Sequence, residues 1–445
     1  MLASPLIVQA ITKYVYHNIL LREKTPYISL PNQVLGKLYT MESLIAKIQQ
    51  EAASANYVER KKLLDTLRDL QYSIETPEDA MQRVIHMNLH FAAIRTALDL
   101  NLFNDILDNA EPSTVNHLAA KHSADPLLLG KYRNSSSVHS AQCAPEILTR
   151  KTGRVLRYLA SLGVLKEAGR DTFTSTRYTS NLARPEIQAG LYVYFDMCNP
   201  TYQEMPRYLA ETGYQNPTSF TDGIFQRAHK TDLHTFAFVH GDPVRSAHFN
   251  HFMKAQRGSQ PKCFDLYPFD EESKGWPSDK PLFVDVGGGA GYQTVSFLER
   301  FPNLPGRVVL QDLPEPIEDA KSVVPENVER MAHNFFEPQP VIGAKYYYLR
   351  MILHDHTDEN SIKILSNLVP ALGEDSLILL DEMVLPSQRV DEASTQHDLT
   401  MMTFHSSMER SEEQWAKLVG AVGLKIKKVV PYAPGYNLGV VVCGL

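Results

Sequence analysis

Residues Phe283 to Gly291 (FVDVGGGAG) constrain what this 445-residue chain can fold into more than any other stretch. An apolar run carrying one acid, Asp285, enters a turn with glycines at 287, 289 and 291. An amphipathic segment, Tyr292 to Arg300, follows at once. That order predicts a buried strand, a glycine turn and a helix, the repeating unit of parallel α/β sheets. Glycines there let backbone amides approach a nucleotide-like ligand where any Cβ would collide. The spacing is not that of a dinucleotide turn, which wants a glycine three residues after Gly289, where Tyr292 stands. A tight connection with no ligand is the plain alternative.

The chain is long enough for two or three domains with their own cores. Its composition, 43% hydrophobic and 21% charged with a net charge of −7, is that of a globular protein. An acidic balance argues against a nucleic-acid surface, which needs a basic field. Cys143, Cys198, Cys263 and Cys443 lie far apart and form no C-x-x-C pair, so they suit a reducing compartment without a zinc or disulfide framework. No apolar run approaches the roughly 20 residues of a membrane span. Met1 to Leu21 lacks a basic leader and reads as an amphipathic helix suited to a partner subunit. A cytoplasmic protein with no membrane and no nucleic-acid partner is the expectation.

Three regions follow. Residues 1–75 read as a helical arm, with Glu59 to Leu70 at helical spacing. Residues 76–190 begin at Thr76-Pro77-Glu78-Asp79, a cap, a first-turn proline and two acids; one helix is expected from there to about Asp99. Ser113 is expected to open another. Beyond Arg154 come a helix to Gly163, a strand Val164–Glu167, a tip and a strand Thr172–Tyr178, the winged-helix pattern. Within it Lys131 to Thr152 is polar, serine-rich and aperiodic. Its borders can be encoded with a GTAAG donor and a CAG acceptor, so a retained intron and a genuine surface loop both fit. Residues 191–445 turn to alternating strands and helices. Strands are expected at Pro281–Val286, Arg307–Gln311, Lys345–Leu349, Ser376–Leu380 and Gly439–Cys443, with helices at Tyr292–Arg300, Asp358–Leu368 and Ser411–Val422. In such sheets ligands lie at the carboxyl ends of the strands.

Chemistry-bearing residues recur at those ends. Asp312, in QDLP, is placed to accept from both hydroxyls of a ribose, or else to cap the turn at Pro314. His354, in LRMILHDHTDE, stands where a general base would face a ligand, and an imidazole can take a phenolic proton near neutral pH. His354 and His356 with nearby acids make only a thin metal motif. Glu382 in DEMVLP and Glu409 in MERSEEQW are acids of the kind that fix an imidazole's tautomer.

Taken in order, VDVGGGAG, QDLP, LRMILHDHTDE, DEMVLP and MERSEEQW resemble the S-adenosylmethionine (SAM)-dependent O-methyltransferases of the plant caffeic acid type, closest to fungal secondary-metabolite members of the sterigmatocystin type. The resemblance runs from about Thr76 to the C-terminus. It implies an α/β, Rossmann-like SAM methyltransferase domain with a mostly parallel sheet, preceded by an α-helical winged-helix dimerisation domain. It implies His354 as catalytic base with Asp355 beside it, and Glu382 and Glu409 as flanking acids. Asp285, Gly287, Gly289, Asp312, Leu313, Asn334, Phe335 and Arg350 fall at cofactor-contacting positions, and Met253 at a substrate-pocket position. It also implies a homodimer, an aromatic hydroxyl as methyl acceptor and no metal. Asn334 replaces an acid of the family pattern and His356 a tryptophan. A methyltransferase-like interaction protein lacking activity, and a winged-helix DNA-binding regulator, are the alternative functions.

Overall fold

The computed structural model describes residues 41–125, 128, 153–256 and 262–445. The N-terminal segment Met1–Leu21 and the insert 131–152 lie outside them, as does Cys143. The chain divides into two compact units, with the break between Ile85 and His86 and not at 75/76.

The first unit holds α1 (Met41–Ser54), α2 (Tyr57–Ile74) and α3 (Pro77–Ile85). Asn56 and Glu59 cap α2 reciprocally, each side chain taking the other's backbone N–H at 3.0 Å. Thr76 and Asp79 do the same for α3. The helix expected to continue to Asp99 breaks at His86, and α4 (Met87–Asp99) starts in the second unit.

The second unit opens with α4, α5 (Leu102–Asp108), β1 (Ser113–Thr114), α6 (Val115–Lys121), α7 (Arg154–Ser161), β2 (Leu165–Gly169), β3 (Thr172–Ser175) and α8 (Arg177–Leu182). Ser113 does not open a helix: it pairs with Phe173, and Thr114 caps α6 by accepting from the His117 amide. β1, β3 and β2 form one antiparallel three-stranded sheet. Ile94, Leu98, Phe103, Leu118, Leu159 and Phe173 make its core. The last expected wing residues, Arg177 and Tyr178, instead begin α8 because Thr176 caps the helix.

Helices then carry the chain to the sheet: α9 (Pro185–Val193), a π-turn (Tyr194–Cys198), α10 (Asn199–Glu211), α11 (Ile224–His229), α12 (Thr235–His240) and α13 (Pro243–Gln256). α9 and α13 pack closely, and a Cβ on Gly190 would come within 2.8 Å of the Phe252 ring.

The main sheet contains β4 (Pro281–Val286), β5 (Arg307–Asp312), β6 (Glu329–Ala332), β7 (Tyr346–Arg350), β8 (Leu377–Leu385), β10 (Lys425–Ala433) and β11 (Leu438–Gly444), and β9 (Arg410–Ser411) pairs with the end of β8. Its order is β10-β11-β8-β7-β4-β5-β6. β6 to β8 run parallel along this order, and β11 is antiparallel to β8. The helices between are α14 (Tyr292–Arg300), α15 (Pro314–Ala320), α16 (Asp358–Leu368), α17 (Glu392–His405) and α18 (Glu412–Gly420). β6 and β10 escape a sequence reading because they are edge strands carrying charge, without an apolar run.

Both faces of the sheet are covered, so successive residues of β4 enter different cores. Phe283 joins Phe264, Phe269, Phe297, Tyr346 and Tyr348. Val284 and Val286 join Tyr347, Leu349, Leu365 and Trp415. Phe283 and Phe297 stack at 4.2 Å, fastening α14 to β4 on either side of the glycine turn. Truncating Phe297 to Ala removes that fastening, at a cost of about 3–5 kcal/mol. Denaturant unfolding is expected to show a correspondingly lowered midpoint for Phe297→Ala and a smaller loss for Phe297→Leu.

Candidate active site

The chain winds from β4 outward to β5 and β6, then returns to β7 on β4's other side. Ligands in open α/β sheets bind at such reversals. Gly287, Gly289 and Gly291 all have positive φ. A Cβ on Gly291 would meet Val324 at 2.3 Å, so that glycine serves packing. A Cβ on Gly289 would meet no protein atom within 4 Å, so the turn is open where a ligand would approach. Asp312, at the end of β5, accepts from the Gly289 amide at 2.7 Å and from the Leu313 amide at 2.7 Å. Leu313 is exposed beside it. Asp285 is buried under the turn and accepts from the Thr294 hydroxyl at 2.6 Å. The Phe335 ring lies against the Gly287 side of the turn. Asn334 spends its carbonyl on the Phe336 amide at 3.0 Å and shapes this loop.

Next to the turn, β7 ends at Arg350. Met351 has φ 49°, an uncommon conformation for a side chain of its size, and Leu353–Asp355 forms a single 3₁₀ turn. Every side of that turn is held. Glu382 accepts from the amides of Ile352 (3.0 Å) and Leu353 (2.8 Å). Arg410 donates to the carbonyls of Leu353 (2.8 Å) and His356 (3.1 Å). Ser407 donates to the carbonyls of His354 and His356. Glu382 therefore holds the backbone that carries His354, and its carboxylate acts on the ring through charge. Arg350 is also not turned to the glycine loop. Its guanidinium donates to Asp381 (2.6 Å) and the Tyr432 hydroxyl (2.7 Å), within a buried cluster that Tyr348 completes.

His354 is buried, with Nδ1 2.8 Å from Glu409 Oε1 and Nε2 3.4 Å from Asp355. Burial disfavours its charge, but the Asp355 and Glu409 carboxylates outweigh that and push it up to about 10. Burial would raise Glu409, yet His354 and His397 hold it down to about 2. An ionised carboxylate only accepts, so the Glu409 oxygen fixes a hydrogen on His354 Nδ1 and leaves Nε2 as the basic nitrogen. Burial pushes Glu382 up to about 7 and holds His356 and His405 down to about 4. His356 takes the place of a tryptophan yet keeps an aromatic setting, among Phe220, Phe335 and Phe336.

A cavity of about 250 Å³ opens beside His354. Its walls include Met253, Arg350 and Asp355 from the expected set. The rest was invisible in sequence: Tyr194, Phe236, Phe249, Phe252, Phe404, Met351, Met383 and Met401 supply apolar surface, and His397 and His405 two more imidazoles. The signal for those two lay in α17, where both face the site from a helix without an amphipathic stripe. His397 Nδ1 is also 2.8 Å from Glu409 Oε1. His354, His397 and Glu409 offer three donor atoms within 4.8 Å, but 2.8 Å from each nitrogen to a single oxygen is hydrogen-bond geometry.

Residues 220–425 match the O-methyltransferase domain family. Demethylsterigmatocystin 6-O-methyltransferase of Aspergillus parasiticus is 35% identical over 387 residues, covering 87% of this chain and 93% of the relative. The structure of LepI with SAM superposes with a TM-score of 0.80 at 33% identity, covering 91% of this chain and 98% of that one. A structure described as a pericyclic reaction enzyme matches with the same TM-score and identity, covering 91% of this chain and 100% of its own. These relatives do not single out the plant caffeic acid type. Identity of this extent, over nearly the whole length and on this site, shows that the chain belongs to the SAM-dependent O-methyltransferase family, alongside fungal members.

Proposed function

We propose that the protein methylates a hydroxyl of an aromatic, polyketide-type metabolite, with His354 as general base and without a metal. The observation that carries this reading is the buried His354–Glu409 pair at 2.8 Å, with His354 on the wall of a largely apolar cavity and its neighbour Ile352 against the open glycine turn. The turn fits SAM: Gly289 leaves free the space a Cβ would fill, and Asp312 presents a carboxylate at the same strand end. Gly287, Gly289, Asp312, Leu313 and Phe335 would hold it, with Asp285 shaping the turn and Asn334 the loop that bears Phe335. Bound SAM supplies a methyl group activated by a sulfonium.

The chain's own residues do the rest. Glu409 fixes the tautomer so that His354 Nε2 can take the proton of an acceptor hydroxyl. A nitrogen held up to about 10 matches a phenol, whose ordinary value is about 10, so the transfer is close to thermoneutral. Phenylalanine and methionine side chains exclude water and present flat apolar surface to an aromatic ring. The relative's name, a 6-O-methyltransferase of demethylsterigmatocystin, supports that acceptor class. Exposed Met81, Val84 and Ile85 on α3 support a homodimer. Among the described residues no helix is long and apolar enough to cross a membrane, which is compatible with a cytoplasmic location.

Four outcomes are expected. His354→Ala keeps SAM affinity in a calorimetric titration but lowers turnover on phenols by about 10²–10⁴-fold; full activity would remove the base assignment. Asp312→Ala weakens SAM about 10–100-fold in a calorimetric titration, through the loss of a charge-assisted hydrogen-bond acceptor. The kcat/KM of the wild type climbs with pH and levels near 10, because the neutral imidazole appears only as pH rises through the His354 value. Product mass should rise by one methyl per SAM consumed; acceptor turnover that consumes no SAM would overturn the reading.

A further inference from the structure

Two imidazoles, not one, bind the carboxylate behind the base. His354 Nδ1 and His397 Nδ1 each lie 2.8 Å from the same oxygen, Glu409 Oε1. The two rings are nearly parallel, 6° apart, with centroids separated by 5.5 Å. The other oxygen, Oε2, is buried with no hydrogen-bond partner. All the hydrogen bonding that balances this buried carboxylate therefore falls on one atom. An ionised carboxylate accepts only, so both imidazoles must donate, and they compete for the same lone-pair density. Asp398, one residue beyond His397, holds the Glu409 amide at 2.8 Å, so α17 grips both the backbone and the side chain of Glu409.

Resting on the base assignment above, we propose that His397 is a positioning residue for the reaction: by donating to the oxygen that His354 uses, it fixes the Glu409 carboxylate and draws off part of its charge, and so governs how readily His354 gives up its proton. His354 is faced by Asp355 on its own turn, by Glu382 from β8, by Glu409 ahead of β9 and by His397 and His405 from α17. Three of these are carboxylates that favour the imidazolium. His397 is the group that weakens one of them. A base whose imidazolium is held too firmly stays protonated at neutral pH, and each unit of that excess costs a factor of ten in the reactive form.

The proposal separates from a merely structural role by what moves. In full-length protein with ¹⁵N-labelled histidine and no acceptor, the wild type should show two downfield Nδ1–H protons, from His354 and His397. His397→Phe should delete one and move the other further downfield as its hydrogen bond to Glu409 strengthens. His397→Leu, which likewise carries no donor, should do the same, and it covers the case in which the phenylalanine variant fails to fold. In kinetics, both variants should shift the rising limb of kcat/KM upward by about 1 pH unit, with an activity loss of about tenfold at pH 7 that closes at high pH. His397→Asn, whose side-chain amide nitrogen takes the place of Nδ1, should return both readouts towards wild type. An unmoved His354 Nδ1–H signal, or a loss of activity equal at every pH, overturns the proposal. The proton spectrum needs no methyl acceptor, so an inactive wild type would sink the base assignment while leaving this arm readable.

Discussion

The site depends on how one four-residue stretch of backbone is held. Between Leu353 and His356 the chain belongs to no strand or long helix, and it carries the base. Left to itself such a turn would move, and its polar groups would need water. Instead Glu382 takes two amides, and Arg410 and Ser407 take the carbonyls. Glu382 comes from β8, Ser407 and Arg410 from the segment at β9, and all three are buried. Buried donors and acceptors that are fully matched resist displacement, since breaking one strands its partner. The base is thereby placed by backbone chemistry before any ligand arrives, which is the form of preorganisation that catalysis rewards.

That arrangement also explains where the charge sits. Four acids cluster at the carboxyl edge of β7 and β8, and a cluster of that kind is unstable unless paired. Asp381 is balanced by Arg350 with Tyr348 and Tyr432. Glu409 is balanced by the imidazoles of His354 and His397, Asp355 lies 3.4 Å from Nε2 of both His354 and His405, and Glu382 is held by backbone amides. Burial in this setting disfavours every lone charge and rewards every matched one. The result is one imidazole strongly inclined to hold a proton, His354, beside two that stay neutral, His356 and His405.

Much of this was legible in the residues. The strand Pro281–Val286 and the helices Tyr292–Arg300 and Asp358–Leu368 have the expected bounds, because buried parallel strands are nearly all apolar and capped helices announce their ends. His354 and Glu409 come together although 55 residues apart, as the order of motifs implied. The roles of Glu382 and Arg350 were not legible. Both stand in the right motif, but whether a side chain reaches a ring, an amide or another side chain depends on the direction in which it leaves the strand and on its neighbours. Arg410 was missed for a related reason: it acts on carbonyls of Leu353 and His356, far away in sequence, and nothing local marks it.

The order of the sheet has a consequence for how the protein is made. β11 pairs with β8 on the edge opposite β7, and Gly439 lies across from Glu382. Seven residues of β11 are buried, and β10, made just before it, reaches the sheet only through β11. During synthesis β8 must therefore wait, one side unpaired, until about sixty more residues have been added, the span from Leu377 to Leu438. The carboxylate that secures the catalytic turn sits on that waiting strand. A nascent chain can fold its β1–β3 sheet and lay down β4, β5 and β7 in succession, but β8, which carries Glu382, gains its second neighbour only once residues 438–444 have been made. Until then the unpaired edge of β8 is exposed to other chains, and β11 is the strand that ends that exposure.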